Sequence, residues 1–291
     1  MVSLVMRELL QLLNLECLEE GIYRGPSRNI VGRNVFGGQV LGQALMAAGR
    51  TLEGRRAHSL HAYFLRAGDI HAPIVYLVER LRDGRSFATR QVKAIQHGQP
   101  IFTMTASFVV AEDGLDHQES MPEVPPPEGL VNETELRARI AHLLPEKIRE
   151  AFARERPIEI RPIDPVNPFA PQPQPAQRYH WMRAQAELPD DTLLHQSMLA
   201  FASDFALMGT AMLPHGVSFM QPNIQAASLD HAMWFHRDFR MDDWLLYQMD
   251  SPSAAGGRGI NRGKIFSQQG SLVATVAQEG LMRLREVGEK Y

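Results

Sequence analysis

The sequence predicts an α+β fold built from two similar halves, in each of which a curved antiparallel sheet wraps around one long helix. Two observations predict the duplication: the same order of elements occurs twice, and two segments of the first half recur in the second at nearly equal offsets. A third observation predicts the wrapping. A helix that is apolar on almost every side must be enclosed, and a curved antiparallel sheet can enclose it.

The first half, residues 1–110, opens with a short strand at YRG and continues with the apolar helix FGGQVLGQALMAAGRTL. Four further segments follow the helix: AHSLHAYFLRAG, PIVYLVERLRDG, SFATRQVKAIQHG and QPIFTMTASFVV. Their apolar and polar residues alternate, and Asp-Gly or His-Gly pairs separate them, as is typical of antiparallel strands joined by turns. This pattern predicts a meander of strands over the helix.

The second half, residues 178–291, repeats this order. The segment QRYHWMRAQ precedes the helix TLLHQSMLAFASDFALMGTAML, and the helix is followed by ASLDHAMWFHRDF, DWLLYQM, GRGINRGKIFSQQG and SLVATVAQEGLMR. Within these, SLDHAMWFHR matches SLHAYFLR of the first half, and GGRGINRGKIFSQQG matches DGRSFATRQVKAIQHG. Two matches in the same order favour a duplicated domain over chance similarity.

Residues 111–177 differ in character from both halves. The stretches MPEVPPPEGL and RPIDPVNPFAPQPQPAQ are dense in proline, which excludes a central strand or a long helix there. Between them, ETELRARIAHLLPEKIREAFARE has apolar residues at helical spacing. We therefore expect a connector that carries one or two surface helices.

Composition limits the class of protein and its partners. Thirty basic and 33 acidic side chains give a net charge of −3, so no overall positive field predicts binding to nucleic acid or to an anionic membrane. The single cysteine, Cys17, excludes an internal disulfide and fits a reducing compartment. The N-terminal stretch lacks the features of a signal peptide, and no long apolar run predicts a transmembrane helix. We expect a cytoplasmic protein.

Four stretches of the sequence resemble the acyl-CoA thioesterase II (TesB) family: FGGQVLGQALMAA, HSLHAYFLRAGD, LRDGRSFATRQVKAIQHGQPIFTMTASF and SLDHAMWFHRDF. The resemblance runs in order from about Gly21 to Arg283, over nearly the whole chain. It implies a double hot-dog fold, which is the tandem arrangement predicted above. It further implies hydrolysis of medium- to long-chain fatty acyl-CoA to fatty acid and coenzyme A, without metal or redox cofactor, by a homo-oligomer (dimer or tetramer).

The resemblance also implies which residues act. The family joins an Asp of the second-half helix, a Thr or Ser of the following strand and a Gln of the last strand, and these roles fall on Asp204, Ser228 and Gln278. Such a set suits activation of water rather than covalent catalysis, because hydroxyl and amide groups can both donate and accept hydrogen bonds. The carboxylate would orient the water or accept its proton.

Each of these residues also has a plainer interpretation. Asp204 stands between apolar neighbours and would be costly to bury without partners, so it could lie on a solvated helix face. Ser228 could be an ordinary hydrogen-bonding residue at the start of a strand, and Gln278 could reach solvent. Strand alternation predicts Ser228 and His231 on opposite faces, which disfavours a Ser-His-Asp nucleophile. The chain also lacks a G-x-S-x-G elbow.

The first half lacks the polar set. Ala106 stands at the position that matches Gln278, and Gln39 stands opposite Asp204 when the two helices are aligned. We therefore expect the second half to carry the chemistry. The first half is expected to contribute Gly37, at the glycine-rich start of its helix, where backbone N–H groups can bind a developing oxyanion.

Contacts to coenzyme A are predicted for two basic residues. Arg258 and Arg262 lie in GGRGINRGK, which lacks the spacing of a phosphate-binding loop and could equally be a plain strand connection.

Two other functions stay open from the residues alone. One is a non-catalytic protein that binds acyl-CoA on the same fold. The other is a hydratase-like enzyme acting on enoyl-CoA, although Asp204 has no histidine within one helical turn.

Overall fold

Thirteen strands form one continuous antiparallel sheet in the computed structural model, which describes residues 3–30 and 32–285. The first half contains α1 (Leu4–Leu13), β1 (Glu16–Glu19), β2 (Ile22–Gly25), α2 (Gly37–Gly49), β3 (Arg56–Phe64), β4 (Ile74–Asp83), β5 (Phe87–Gln96) and β6 (Gln99–Val109). The connector contains α3 (Glu133–Ile140), α4 (Glu146–Ala153) and β7 (Ile158–Pro162). The second half contains β8 (Gln177–Ala184), α5 (Thr192–Ser203), β9 (Ile224–Ser228), β10 (Asp230–Phe235), β11 (Leu245–Ala255), β12 (Arg258–Ser267) and β13 (Leu272–Leu284).

The order of strands confirms the predicted tandem arrangement. In the first half the strands follow the order β2-β4-β5-β6-β3, and in the second half the order is β8-β11-β12-β13-β10. The two orders are the same when matched element by element, and the halves join where β3 pairs with β10. One sheet therefore passes without interruption from one half to the other, which is a double hot-dog fold.

The connector adds one strand that the proline density did not predict. β7 pairs with β8 at the outer edge of the sheet, where a strand tolerates the loss of backbone donors. Earlier in the connector, the carbonyl of Pro125 accepts from the indole Nε1–H of Trp181 at 2.9 Å. The extended part of the connector thus covers an apolar cluster on the outer face of the second half-sheet, formed by Trp181, Trp244, Leu246 and Phe266.

The helix α2 is enclosed, as its composition predicts. Every residue of α2 after Gly37 is buried. At two points the backbone of α2 packs directly against the backbone of α5, with no side chain between them. A Cβ atom on Gly38 would lie 2.3 Å from the carbonyl oxygen of Phe201, and one on Gly42 would lie 2.8 Å from that of Ser197. The two glycines are one turn apart, so α2 and α5 approach each other as closely as backbones allow.

The second-half helix is broken, which corrects the prediction of a single helix from Thr192 to Leu213. α5 ends at Ser203, and a 3₁₀ segment covers Met208–His215. Between them Ala206 has a φ of +65°, a left-handed conformation that few non-glycine residues adopt. Asp204 is the C-cap residue of α5, and its carboxylate reaches the start of α2.

The stretch Thr192–His215 is long and apolar enough to cross a membrane by length and composition. In the folded chain 78% of its most apolar window is buried inside the protein. Its apolar character is accounted for by its place between α2 and the sheet.

Replacement of Gly42 by alanine is expected to lower the free energy of unfolding by about 1–3 kcal/mol, the usual cost of overpacking. Alanine favours a helix over glycine by about 1 kcal/mol, so a loss would show that the contact with the Ser197 carbonyl outweighs propensity. Chemical denaturation measures it, with Gly114→Ala as the control, because nothing lies within 4 Å of that position. A stabilised Gly42→Ala variant would contradict the close approach of the helices.

Candidate active site

A β-bulge shapes the strand that carries Ser228. Leu229 pairs with Glu279 through its backbone N–H, and Ala232 pairs with Ala277, so Asp230 and His231 together stand opposite the single residue Gln278. The extra residue shifts the alternation of side chains by one position. The inward-facing residues change from Ser228 before the bulge to His231 after it.

The prediction that Ser228 and His231 lie on opposite faces is therefore wrong. Both side chains point to the inner face, and both hydrogen-bond to the same atom, Nε2 of Gln278, at 3.1 Å and 3.3 Å. The physical reason is the inserted Asp230. Its carboxylate accepts from the Glu279 N–H at 2.7 Å and so satisfies a donor within the disturbed ladder.

Gln278 is the hub of the site. Its side chain is completely buried, and Nε2 also donates to Oδ1 of Asp204 at 2.8 Å. A flipped amide would place its oxygen against this carboxylate, so Asp204 favours the observed orientation. The two amide hydrogens have three acceptors. One hydrogen is donated to Asp204, and the other is shared between Ser228 and His231.

Asp204 joins the two halves of the chain. Its Oδ2 accepts from the backbone N–H of Gly38, the second residue of α2, at 2.8 Å. The positive end of the α2 dipole therefore faces this carboxylate. Asp204 and Ser228 are half-buried, whereas Gln278 is fully buried, so the network opens toward solvent on the side of the aspartate and the serine.

His231 completes the network behind Gln278. Its Nε2 lies 3.0 Å from the hydroxyl of Ser203, and that hydroxyl also lies 2.9 Å from the carbonyl of Ala200. The serine hydrogen goes to the carbonyl, because a carbonyl can only accept, so the serine oxygen accepts from Nε2–H of His231. Nδ1 is then unprotonated and accepts from Gln278. The imidazole is neutral, and burial lowers the pKa of His231 to about 4, against a smaller upward effect of Asp204.

One polar atom of the hub has no partner. Oε1 of Gln278 is buried and accepts no hydrogen bond from residues 3–30 or 32–285. A buried amide oxygen without a donor is costly.

Gly37 lies beside the carboxylate of Asp204. A Cβ atom there would be 2.8 Å from Oδ2 of Asp204 and 3.0 Å from the ring of Phe64, so only glycine fits without displacing the carboxylate. Within the described ranges its N–H has no hydrogen-bond acceptor, while the next N–H, of Gly38, is occupied by Asp204. Gly37 thus offers a backbone donor at the start of α2.

Arg258 and Arg262 do not join the network. Both belong to the outward-facing residues of β12, whereas Asn261, which pairs with Gln278, is buried on the inner face. Arg258 forms an ion pair with Glu279, and Arg262 forms a two-point ion pair with Asp250. The structure therefore gives no support to their role as contacts of coenzyme A phosphates. In the described part of the chain, no cluster of three His, Cys, Asp or Glu side chains could hold a metal ion.

Helix composition and regular strand alternation do not identify two of the site residues, Ser203 and His231. Ser203 lies in an apolar helix, and strand alternation places His231 on the wrong face. A signal does exist. The second half reads SLDHA where the first half reads SLHA, and the inserted Asp230 predicts a bulge that would turn the histidine inward.

Comparisons with known proteins place the chain in a family. Residues 26–109 match the sequence model of an acyl-CoA thioesterase N-terminal domain, and residues 147–281 match that of acyl-CoA thioesterase. The chain is 46% identical to acyl-CoA thioesterase 2 of Haemophilus influenzae, over 98% of this chain and 100% of that protein. It is 43% identical to acyl-coenzyme A thioesterase 8 of Homo sapiens, over 94% of this chain and 88% of that protein. The structure is also similar to the crystal structure of acyl-CoA thioesterase II TesB2 from Mycobacterium marinum, with a TM-score of 0.78 and 45% sequence identity. That comparison covers 98% of this chain and 100% of the other.

The neutral state of His231 can be measured. Nitrogen-15 chemical shifts should show the proton on Nε2 and a pKa near 4, because burial disfavours the charged ring. Below pH 6.5 His231 is protonated in the unfolded chain but stays neutral in the folded chain. This histidine should therefore lower the free energy of unfolding as the pH falls toward 4. His180, whose pKa burial lowers to about 3, acts in the same direction. A proton on Nδ1, or a pKa near 6.5, would contradict the described network.

Proposed function

The chain belongs to the acyl-CoA thioesterase family and hydrolyses acyl-CoA thioesters, and from this premise we propose that Asp204, Ser228 and Gln278 perform the hydrolysis by activating water. One observation carries this proposal: Nε2 of Gln278 donates to both Asp204 and Ser228 and so holds the carboxylate and the hydroxyl around one opening. Three polar side chains from α5, β9 and β13 converge there.

The reaction begins with a water molecule between the carboxylate of Asp204 and the hydroxyl of Ser228, the two half-buried groups of the site. Each oxygen of Asp204 accepts one hydrogen bond from the protein and keeps capacity for another. As the water oxygen bonds to the thioester carbonyl carbon, one water proton passes to Asp204. The hydroxyl oxygen of Ser228, which is half-buried, accepts a hydrogen bond from the second water hydrogen. The tetrahedral intermediate then loses the coenzyme A sulfur, which takes the proton from Asp204, and the fatty acid is released.

The developing negative charge needs a donor on the other side of the carbonyl. The Gly37 N–H lies at the positive end of α2 and has no acceptor in the described residues. The hydroxyl of Ser228 accepts from Gln278, so its own hydrogen remains available to the carbonyl or the water. We assign charge stabilisation to Gly37 and water placement to Ser228 and Gln278.

A Ser-His-Asp nucleophile is not favoured by this geometry. His231 is in the network, but the amide of Gln278 lies between His231 and Ser228. The Nε2 atom of His231 is directed to Ser203 rather than to Asp204. A buried imidazole whose pKa is lowered to about 4 is also a weak base at neutral pH.

We propose medium- to long-chain acyl groups as the substrate class. The support is the set of aromatic side chains beside Asp204: the ring of Phe205 stacks on Phe36 at 4.6 Å, and Phe64 lies against Gly37. Such rings favour an apolar chain over a short polar one. Release of free thiol from acyl-CoAs between acetyl and palmitoyl tests this, and a preference for acetyl-CoA would contradict it.

The setting of the enzyme is also a proposal. We place it in the cytoplasm as a homo-oligomer. An exposed free cysteine, Cys17, is compatible with a reducing compartment.

Asp204→Asn is expected to lower kcat by about 10²–10⁴-fold, the usual contribution of a general base. The amide keeps the size of the side chain but cannot take the proton from water. Free-thiol release at saturating acyl-CoA measures the loss, and thermal unfolding shows whether the variant is folded. A folded variant with full activity would refute the assignment of Asp204.

Ser228→Thr should retain activity within about threefold, whereas Ser228→Ala should lose about 10–100-fold in kcat, because the hydroxyl positions water and does not attack the substrate. Mass spectrometry of the quenched wild-type enzyme is the second measurement. No acyl group should be found on Ser228. A covalent acyl-serine that forms and decays at the rate of turnover would overturn water activation in favour of a nucleophilic serine.

A further inference from the structure

We infer that His231 is a positioning residue for the hydrolysis: together with Ser203 it fixes the rotation of the Gln278 amide, and thereby the place of the attacking water. This inference rests on the proposed catalytic set, since it concerns how one member of that set is oriented.

The first support is the direction of the hydrogen bonds. Three hydrogen bonds in series link Nε2 of Gln278 to His231, His231 to Oγ of Ser203, and Ser203 to the carbonyl of Ala200. Every proton position in this series follows from the carbonyl at its end. The series places an acceptor, Nδ1 of His231, at the buried side of the amide. An acceptor there can bind Nε2 and would repel Oε1, so the amide keeps its nitrogen toward the interior and Asp204.

The second support is the environment. Ser203, His231 and Gln278 are all completely buried, and polar groups in such a place are costly unless they are hydrogen-bonded. An apolar side chain at position 231 would fill the core at lower cost, as Met233 does two residues along the same inner face. Stability alone therefore does not account for an imidazole in this position.

The third support comes from the other half of the chain. The first-half histidine of the matching SLHA, His61, is exposed on the outer face and packs edge-on to the ring of Trp234. Ala106 stands there in place of Gln278, so that half has no amide to orient. Only the half with the amide has the inserted Asp230 that turns its histidine inward.

The test compares two substitutions of nearly equal shape, His231→Asn and His231→Leu. The oxygen of asparagine can take the place of Nδ1 as an acceptor, whereas leucine has none. We expect His231→Leu to lower kcat by about 10–100-fold with KM within about twofold, because misplacement of a reacting group by about 1 Å costs rate rather than binding. His231→Asn should retain kcat within about fivefold.

Ser203→Ala provides an independent test if His231→Leu does not fold. Without the serine oxygen the imidazole can place its proton on Nδ1, which would then face the amide N–H groups of Gln278. We expect kcat to fall several-fold at unchanged KM. Equal kcat values for folded His231→Asn and His231→Leu, or an unchanged kcat for Ser203→Ala, would overturn the inference.

Asp204→Asn, assayed beside these variants, separates this inference from the proposed function. If Asp204→Asn is inactive and the His231 variants are normal, the catalytic set stands and the positioning role fails. If Asp204→Asn is fully active, the catalytic set itself fails.

Discussion

The backbone contact between α2 and α5 is the constraint on which the site depends. Gly38 and Gly42 leave no room for side chains between the helices. This brings the start of α2 within 2.8 Å of the carboxylate that caps α5. A half-buried carboxylate needs donors, and the first turn of a helix supplies free N–H groups together with the positive end of a dipole. Neither half of the chain contains both parts, so the carboxylate of Asp204 receives these donors only when the halves are packed together.

Two local irregularities then give the site its polar groups. The helix α5 stops at Ser203, which leaves Asp204 as its C-cap residue, and Ala206 follows in a left-handed conformation. The bulge opposite Gln278 brings Ser228 and His231 to the same face of the sheet. The bulge departs from regular secondary structure at residues that hydrogen-bond to Gln278, as is common beside functional sites. The first half, which has an alanine in place of the hub glutamine, forms the structural partner of the site.

Much of this could be predicted from the sequence. The periodicity of the strands and the enclosed helix predict the tandem sheet-and-helix fold, and the resemblance implies Asp204, Ser228 and Gln278, which the structure brings together. The break at Ala206 could not be predicted, because FASDFALMG retains the apolar character of a helix. The face of His231 was predicted wrongly because a single inserted residue reverses strand alternation. Arg258 and Arg262 show a further limit, since the same arginines in a sequence can bind phosphate or form ion pairs with carboxylates on a neighbouring strand.

The central claim is that Asp204 and Gln278 act as one unit on a single water molecule. A double-mutant cycle in kcat tests it directly, with Asp204→Asn, Gln278→Ala and the double variant, all shown to be folded. Groups that act as a unit have non-additive effects. We predict that the double variant is about as slow as Asp204→Asn alone. Losses that multiply, so that the double variant is slower by the product of the two single effects, would show that the residues act independently and would contradict this account.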